Sequence, residues 1–170
     1  CNEETIIHIN PGGLRKGGGP SVHSGLTGRK TGIDTYGGFA RSSGAALSGK
    51  DPMRIDRVGA YIARYAAKNV VAAELARECE VQLSYSIGIA EPVSLRVRTF
   101  GSGEVDDDAI ADRLRQVIDF RPGGIVRDLG LKTISAQLGG FYRKLSVYGH
   151  MGRRELEVPW ENTTLASKLK

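Results

Sequence analysis

The spacing of apolar residues predicts one long helix near the middle of the chain. Between positions 55 and 73 the apolar residues recur at intervals of three, four or seven: Ile55, Ile62, Ala66, Val70 and Ala73. This period places them on one face of an α-helix. Asp51-Pro52 stands just before the pattern and matches an N-cap followed by proline at the first helical position. We therefore expect a helix from Pro52 to about Glu78.

A period of two replaces the helical period further along and predicts two strands. Apolar side chains alternate strictly with small or polar ones between positions 81 and 89, and again between positions 95 and 99. Such alternation is typical of strands with one buried face. Pro92 separates the two runs, which we expect to pair as antiparallel strands. The β-branched stretch Thr5 to Ile9 and the short stretch Ile33 to Tyr36 are also predicted as strands.

The remaining pattern adds two shorter helices. Asp106 to Asp108 begins one of them, because acidic residues in a first turn favour the helix dipole. Arg121-Pro122 begins the other, which we expect Gly130 to end. The polar residues after Trp160 are predicted to be loose. Strands and helices mix without regular alternation, which indicates an α+β fold with a mixed, largely antiparallel sheet packed against helices.

Composition limits the class of protein. The chain has 170 residues, of which 40% are hydrophobic and 25% charged, as in ordinary globular domains. It has no apolar run close to the ~20 residues of a membrane helix and no basic-then-apolar leader, so we expect no membrane partner and a cytoplasmic location. Two cysteines are too few for a disulfide framework or a tetrahedral zinc site.

The positive charge is concentrated in one region. The formal net charge is +5. Positions 11 to 64 carry nine Lys and Arg residues against the three acids Asp34, Asp51 and Asp56. The same region is rich in glycine, which lets backbone N–H groups approach phosphate oxygens. This combination favours a compact anion. The sequence shows no basic helix face with interleaved aromatics, so we expect no nucleic-acid partner.

The stretch GAALSGKD, residues 44 to 51, contains most of a phosphate-binding P-loop. A P-loop requires Ser or Thr after the lysine to hold magnesium, and Asp51 stands there instead. About seven residues of loop also separate the stretch from the preceding predicted strand, so a P-loop is rejected. Lys50, Arg54 and Arg57 near a helix start still favour an anion. The alternative, that Arg54 and Arg57 are solvated surface charges, remains open.

Longer segments of the chain resemble one known family. GLTGRKTGIDTYGG, SGKDPMRIDR, AYIARYAAKNVVAA, CEVQLSYSIGIAEPVS, DFRPGGIVRDLGL and YGHMGRRELEVPWE are similar to the C-terminal part of S-adenosylmethionine synthetase (methionine adenosyltransferase). The resemblance covers nearly all of the chain from Ile9 onward. It implies that residues 1–16 end the preceding, central domain and that residues 17–170 form the C-terminal domain.

The resemblance also implies an activity. In this family the methionine sulfur attacks C5′ of ATP and expels triphosphate, which is cleaved to phosphate and pyrophosphate. The family uses Mg²⁺ and K⁺, and its sites form between the subunits of a dimer or tetramer. A thioether sulfur has no proton to lose, so the expected work of the site is positioning and stabilising the leaving triphosphate with cations.

Carried over residue by residue, the resemblance assigns a set of site residues. It implies that Arg29, Lys30 and Lys50 act on the triphosphate and are the catalytic residues of this part of the chain. Arg54 stands where the family has a second lysine, and Asp56 matches an aspartate at the helix start. Further substrate contacts are implied at two positions: His23 and Ile87. Ile87 matches an isoleucine that lines the methionine pocket, although a plain core role is also compatible.

Two departures keep a second hypothesis open. His23 replaces a common aspartate, and Arg15 lies near a position where the family has phenylalanine. They favour a non-catalytic polyphosphate-binding or nucleotide-binding subunit of the same family, whereas the retained Arg29, Lys30 and Lys50 favour the enzyme. The family's catalytic histidine and most metal ligands lie in an N-terminal part that this sequence does not contain. We therefore expect the chain alone to be inactive, and either part of a longer enzyme or completed by another chain.

Overall fold

The computed structural model describes residues 2, 5–14, 16–19, 21–22 and 31–170. Within them, an α+β fold is built around one long helix and a two-stranded antiparallel sheet. The helices are α1 (Thr31–Asp34), α2 (Ile55–Ala72), α3 (Asp107–Val117), α4 (Pro122–Asp128), α5 (Ile134–Gln137), α6 (Phe141–Tyr148) and α7 (Ala166–Leu169). The strands are β1 (Glu80–Ser84) and β2 (Ser94–Arg98), and two 3-10 helices span Arg154–Leu156 and Pro159–Glu161.

The central helix α2 confirms the predicted helical face. Its buried side chains include Val58, Ile62, Ala66 and Val70. The helix packs on β1, α4, α7 and the second 3-10 helix. Its bounds differ from the prediction, since it begins at Ile55 and ends at Ala72. The predicted N-cap Asp51 instead accepts the N–H of Met53 at 2.7 Å, and this turn precedes the helix.

The two strands pair as predicted but β1 is shorter than its alternating pattern. Val81 lies opposite Val97 and Leu83 opposite Leu95, and the β2 members of both pairs are buried. β1 ends at Ser84, whose C=O accepts the N–H of Val93 at 2.8 Å. The chain then turns, so the alternation continues past the point where a partner strand is present to bond it.

Three local predictions are wrong. Residues 33–36, predicted as a strand, belong to α1 and the turn after it, where the Thr35 hydroxyl donates to the C=O of Thr31 at 2.6 Å. Residues 5–9 form no strand in the described part of the chain, and Ile6 and Ile9 are exposed there. A β-branched stretch becomes a strand only where another strand satisfies its backbone groups.

The third wrong prediction concerns the segment after Trp160, which is docked rather than loose. The amide of Asn69 on α2 donates to the C=O of Asn162 at 3.0 Å and accepts the N–H of Leu165 at 2.8 Å. Leu169 is buried in the core. The predicted helices at 106 and 121 are confirmed as α3 and α4. No helix in the described ranges is long and apolar enough to cross a membrane.

The core gathers its largest side chains around α2. Trp160 stacks on Tyr61 with ring centres 3.6 Å apart, and Phe141 meets Trp160 edge to face at 6.1 Å. The indole N–H of Trp160 donates to the C=O of His150 at 2.7 Å. Aromatic stacking and this hydrogen bond connect α2, α6 and the chain after α6. The loop that carries Lys50 lies against this cluster.

Candidate functional site

The loop between α1 and α2 presents Lys50 from a buried base. Ala46 and Leu47 are buried, with Leu47 fully inaccessible. Gly49 follows with φ of +81°, a conformation that side-chain-bearing residues rarely adopt. The chain turns there and brings Lys50 to the surface just before α2. Lys50, whose side chain is 20% exposed, is thus attached to a buried segment.

Asp34, at the end of α1, holds this loop through both carboxylate oxygens. Oδ2 accepts the N–H groups of Leu47 at 2.7 Å and of Ser48 at 2.8 Å. Oδ1 accepts the hydroxyl of Ser48 at 2.7 Å. Asp34 is 1% exposed, so these donors replace the water that a carboxylate would otherwise require.

His150 extends the contact to α2 and fixes its own tautomer. Its Nε2 lies 2.9 Å from the Ser48 hydroxyl, and its Nδ1 lies 2.7 Å from the Tyr61 hydroxyl. Because Ser48 gives its single proton to Asp34, Nε2 must carry the proton that Ser48 accepts. Nδ1 then accepts from Tyr61. The result is a directed chain of donors from Tyr61 through His150 and Ser48 to Asp34.

Backbone geometry brings His150 to this position. Gly149, at φ of +87°, lies so close to the C=O of Ile33 that a Cβ atom would overlap it. The N–H of His150 donates to the C=O of Asp34 at 3.0 Å. Glycine at 149 is therefore required both for its conformation and for the close approach of the two segments.

Burial sets the charge state of the two titratable groups in this network. Burial lowers the pKa of His150 to about 4, against the opposing effect of the Asp34 carboxylate. Burial alone would raise the pKa of Asp34, but the hydrogen bonds from Ser48 and Leu47 hold that pKa below its ordinary value. A neutral imidazole beside an ionised carboxylate is the arrangement that the hydrogen bonds require.

Arg57 donates hydrogen bonds to the backbone of the loop from the side opposite Asp34. Its Nε donates to the C=O of Leu47 at 3.0 Å, and its Nη2 donates to the same oxygen. Arg57 is 2% exposed, and its guanidinium lies 5.1 Å from the ring centre of Tyr142. The peptide groups around Leu47 are thus bonded by Asp34 on one side and Arg57 on the other.

Three of the predicted site residues lie together at the start of α2. Lys50 Nζ lies 2.7 Å from Asp56 Oδ2, and Arg54 Nε lies 3.9 Å from the same oxygen. The two cations therefore share one carboxylate. The Arg54 side chain is 61% exposed and that of Lys50 20%, so the cluster borders solvent and carries a net positive charge.

An open cleft of about 290 Å³ adjoins Lys50. The described residues that line it come from the loop, from α2 and from α6: Gly49, Lys50, Pro52, Arg57, Tyr142, Arg143 and Ser146. Three of these residues are cationic and none is acidic, so the cleft favours an anion. Arg143 and Ser146 lie on α6, a segment to which the sequence analysis assigned no role.

Ile87 lies apart from this cluster. It follows β1 in a turn and is 64% exposed, whereas the sequence placed it on the buried face of a strand. A Cβ atom at Gly12 would lie 2.9 Å from its Cγ2, so the turn borders the N-terminal segment. Ile87 is not among the described residues that line the cleft beside Lys50.

The other predicted residues, His23, Arg29 and Lys30, lie outside the residues that the structure describes, as does Arg15. Within the described ranges there is no group of three or more His, Cys, Asp or Glu side chains that could hold a metal ion. Asp34 is occupied by its hydrogen bonds and Asp51 by the N–H of Met53.

Sequence reasoning missed the residues that hold the loop: Asp34, Ser48, Arg57 and His150. Arg57 was counted as a cation for an anion, yet it is buried and bonds the loop backbone. His150 belongs to the segment YGHMGRR, which carried no structural hypothesis. His150 meets Ser48 across 102 positions of sequence, and no local pattern encodes such a contact.

Comparison with known proteins identifies the family. Residues 17–162 match the family described as S-adenosylmethionine synthetase, C-terminal domain. The S-adenosylmethionine synthase of Gloeobacter violaceus is 54% identical over 168 residues, which are 98% of this chain and 40% of that protein. The S-adenosylmethionine synthase of Crocosphaera subtropica is 51% identical over 170 residues, 99% of this chain and 41% of that protein.

A solved structure agrees with this match. An S-adenosylmethionine synthetase from Campylobacter jejuni, described as unusual, superposes with a TM-score of 0.77 at 37% identity, covering 85% of this chain and 37% of that one. The chain thus spans about 40% of the length of the curated relatives. With the family match extending over residues 17–162, the chain belongs to the S-adenosylmethionine synthetase family.

Proposed function

We propose that this chain is the C-terminal part of a methionine adenosyltransferase that forms S-adenosylmethionine from ATP and methionine, with release of phosphate and pyrophosphate. The observation that carries the proposal is Lys50, presented by a loop whose backbone is bonded by Asp34 and Arg57. In the proposed assignment, residues 1–16 end the preceding domain and residues 17–170 form the C-terminal domain.

The geometry suits the chemistry of a triphosphate leaving group. Lys50 and Arg54 share Asp56, so each keeps donor capacity for a further anion. Lys50 also borders the cleft lined by Arg57 and Arg143. Donors that are fixed before the substrate arrives stabilise developing charge without reorganisation. In the proposal, Lys50 contacts the triphosphate, Arg54 and Asp56 complete this side, and Arg29 and Lys30 supply further cations.

Methionine recognition is proposed for a separate element. Ile87 supplies an exposed apolar side chain at the end of the β1–β2 pair, and His23 is assigned to the substrate-binding loop. An exposed isoleucine becomes useful for a thioether side chain when another segment covers it. The proposal includes a dimer or tetramer with sites shared between subunits, which would supply that cover.

Magnesium and potassium belong to the proposed reaction, in which they neutralise phosphate charge. As the family resemblance implies, the proposal assigns most of their ligands to the N-terminal part of the enzyme, which this sequence does not contain. A cytoplasmic location, as predicted from the sequence, also belongs to the proposal.

A substitution of Lys50 tests the proposal. In the protein that contains this chain, Lys50→Ala should lower kcat/KM for S-adenosylmethionine formation about 10²- to 10³-fold, because one fixed donor to the leaving group is lost. Hydrolysis of added tripolyphosphate should fall as well. Lys132→Ala, at an exposed position after α4, is the matched control and should leave both rates unchanged.

Two outcomes separate the proposal from its rival. Turnover of ATP and methionine by the wild-type protein supports the enzyme. Binding of tripolyphosphate without any turnover would instead identify a non-catalytic subunit of the same family, which the departures at His23 and Arg15 favour. Normal turnover in Lys50→Ala would show that the assignment of Lys50 is wrong.

A further inference from the structure

We infer that Asp34, Ser48 and His150 are positioning residues that hold Lys50 ready for the triphosphate. This inference rests on the proposed function. It assigns a role to three side chains that are not among the predicted site residues. Asp34 and His150 are buried beside the loop, and Ser48 belongs to the loop with its hydroxyl bonded to both. In this inference they therefore act through Lys50 and not on the substrate.

The first step of the argument is where the bonds fall along the loop. Leu47 and Ser48 immediately precede Gly49-Lys50, and both of their N–H groups bond Oδ2 of Asp34. The N–H of Lys50 lies 3.4 Å from the C=O of Leu47, a long contact. Near the loop's end, therefore, the strong backbone bonds lie two and three residues before Lys50, and they determine where its side chain starts.

The second step is that the Ser48 hydroxyl connects the loop to both Asp34 and His150. It donates to Asp34 Oδ1 and accepts from His150 Nε2. His150 in turn is fixed by Tyr61 through Nδ1 and by its own N–H through the C=O of Asp34. Ser48 is thus the member that connects the loop to the rest of the network.

The third step is that each hydrogen bond in this network can have only one donor and one acceptor assignment. With Ser48 donating to a carboxylate, the imidazole must carry its proton on Nε2, and Tyr61 must donate to Nδ1. In the described part of the chain, no buried side-chain polar atom is left without a partner. A network whose members are all satisfied has a single arrangement, which is what precise placement of a lysine requires.

A double-mutant cycle in the protein that contains this chain tests the inference. Ser48→Ala should raise the KM for tripolyphosphate about tenfold, the effect expected for losing one hydrogen bond to a charged group. Ser48→Thr keeps the hydroxyl and should restore most of the loss. In a Lys50→Ala background, Ser48→Ala should have almost no further effect on KM, because coupled residues are not additive.

The control is a serine with a similar bonding role elsewhere. Ser102 accepts the N–H groups of Arg77 and Glu78 and donates to the C=O of Thr99. Ser102→Ala should lower thermal stability and leave the KM for tripolyphosphate unchanged. A merely structural role of Ser48 would produce that same pattern.

The outcomes distinguish this inference from the proposed function. If Ser48→Ala changes thermal stability but not KM, or if its effect on KM adds fully to that of Lys50→Ala, the positioning role is wrong. Absence of turnover and of tripolyphosphate binding in the wild-type protein would refute the proposed function itself. Asp34→Asn is a second variant, which disturbs the Ser48 contact without emptying the site, and it too should raise KM.

Discussion

Two ion clusters lie along α2, one at its start and one at its second half, and they match in charge but differ in the exposure of their carboxylates. Near its start, Lys50 and Arg54 share the carboxylate of Asp56, whose side chain is 33% exposed. In its second half, Arg64 and Lys68 share Glu161, whose side chain is 6% exposed. Each cluster has two cations and one acid, so charge counting cannot tell them apart.

Burial and additional bonds give the second cluster a structural role. Arg64 bonds Glu161 through Nε and Nη2, and the N–H of Gly152 donates to the same carboxylate at 2.7 Å. Burial alone would raise the pKa of Glu161, but the bonds from Arg64 and Gly152 hold that pKa below its ordinary value. The carboxylate of Glu161 makes its bonds within the fold, whereas the first cluster has a more exposed carboxylate and, in Arg54, a cation whose side chain is 61% exposed and accessible to a ligand.

The largest expected effect is on the buried cluster. Glu161→Ala should lower the free energy of unfolding by about 3 kcal/mol or more, because it leaves Arg64 and Lys68 with uncompensated charge in a partly buried site. Urea unfolding measures the change. Glu78→Ala, at an exposed acid, should stay within about 0.5 kcal/mol of wild type. A loss below about 1 kcal/mol in Glu161→Ala would contradict the structural role.

As the pH falls, we expect protonation of His150, beside the loop, to lower stability at a higher pH than protonation of Glu161 does. The folded-state pKa of His150 is about 4, below the ~6.5 of an unfolded chain. The unfolded state therefore binds more protons between those values, and stability falls as the pH drops from about 6.5 toward 4. We expect a loss of roughly 1–2 kcal/mol at pH 5 relative to pH 7.

The thermal midpoint as a function of pH measures this loss. His150→Gln should flatten the dependence between pH 7 and pH 5, whatever its own effect on stability. His8→Gln, at an exposed histidine, should leave the slope unchanged. An equally steep slope in His150→Gln would show that another group causes the acid sensitivity.

The smallest effect on stability is expected at the cluster of Lys50, Arg54 and Asp56. Asp56→Asn should change the free energy of unfolding by less than about 1 kcal/mol, because the Asp56 carboxylate is 33% exposed and solvent screens its ion pairs. It should nevertheless lower kcat/KM for S-adenosylmethionine formation about tenfold, because Lys50 and Arg54 lose the carboxylate that orients them. Unfolding and steady-state kinetics on the same preparation decide. A stability loss as large as that of Glu161→Ala would erase the distinction between the two clusters.

Elements with a strong internal period could be predicted from sequence. The face of α2 and the pairing of β1 with β2 follow from periods that burial on one side imposes. The class of fold and the cluster of Lys50, Arg54 and Asp56 near a helix start were also accessible, because those residues are close together in the chain. Boundaries were less accurate, as Ser84 and Ala72 end their elements earlier than the patterns do.

Features that depend on distant segments could not be predicted. Residues 33–36 have β-forming composition, yet the turn of α1 places Asp34 under the loop. The segment after Trp160 looks polar, yet the amide of Asn69 and the burial of Leu169 hold it in place. His150 had no local signal because its partners, Ser48 and Tyr61, lie far away in sequence. The missing information was tertiary contact, not propensity.

The hydrogen bond between Ser48 and His150 determines how early during synthesis the loop that carries Lys50 can reach its final geometry. Ser48 is synthesised early, but its partner His150 follows 102 positions later. At ordinary synthesis rates of about 5–20 residues per second, roughly 5–20 s pass between the synthesis of Ser48 and that of His150. The hydrogen bond between them cannot form before then. Until then the loop lacks its final geometry. We therefore expect the nascent chain to bind polyphosphate, as proposed, only after His150 has been synthesised.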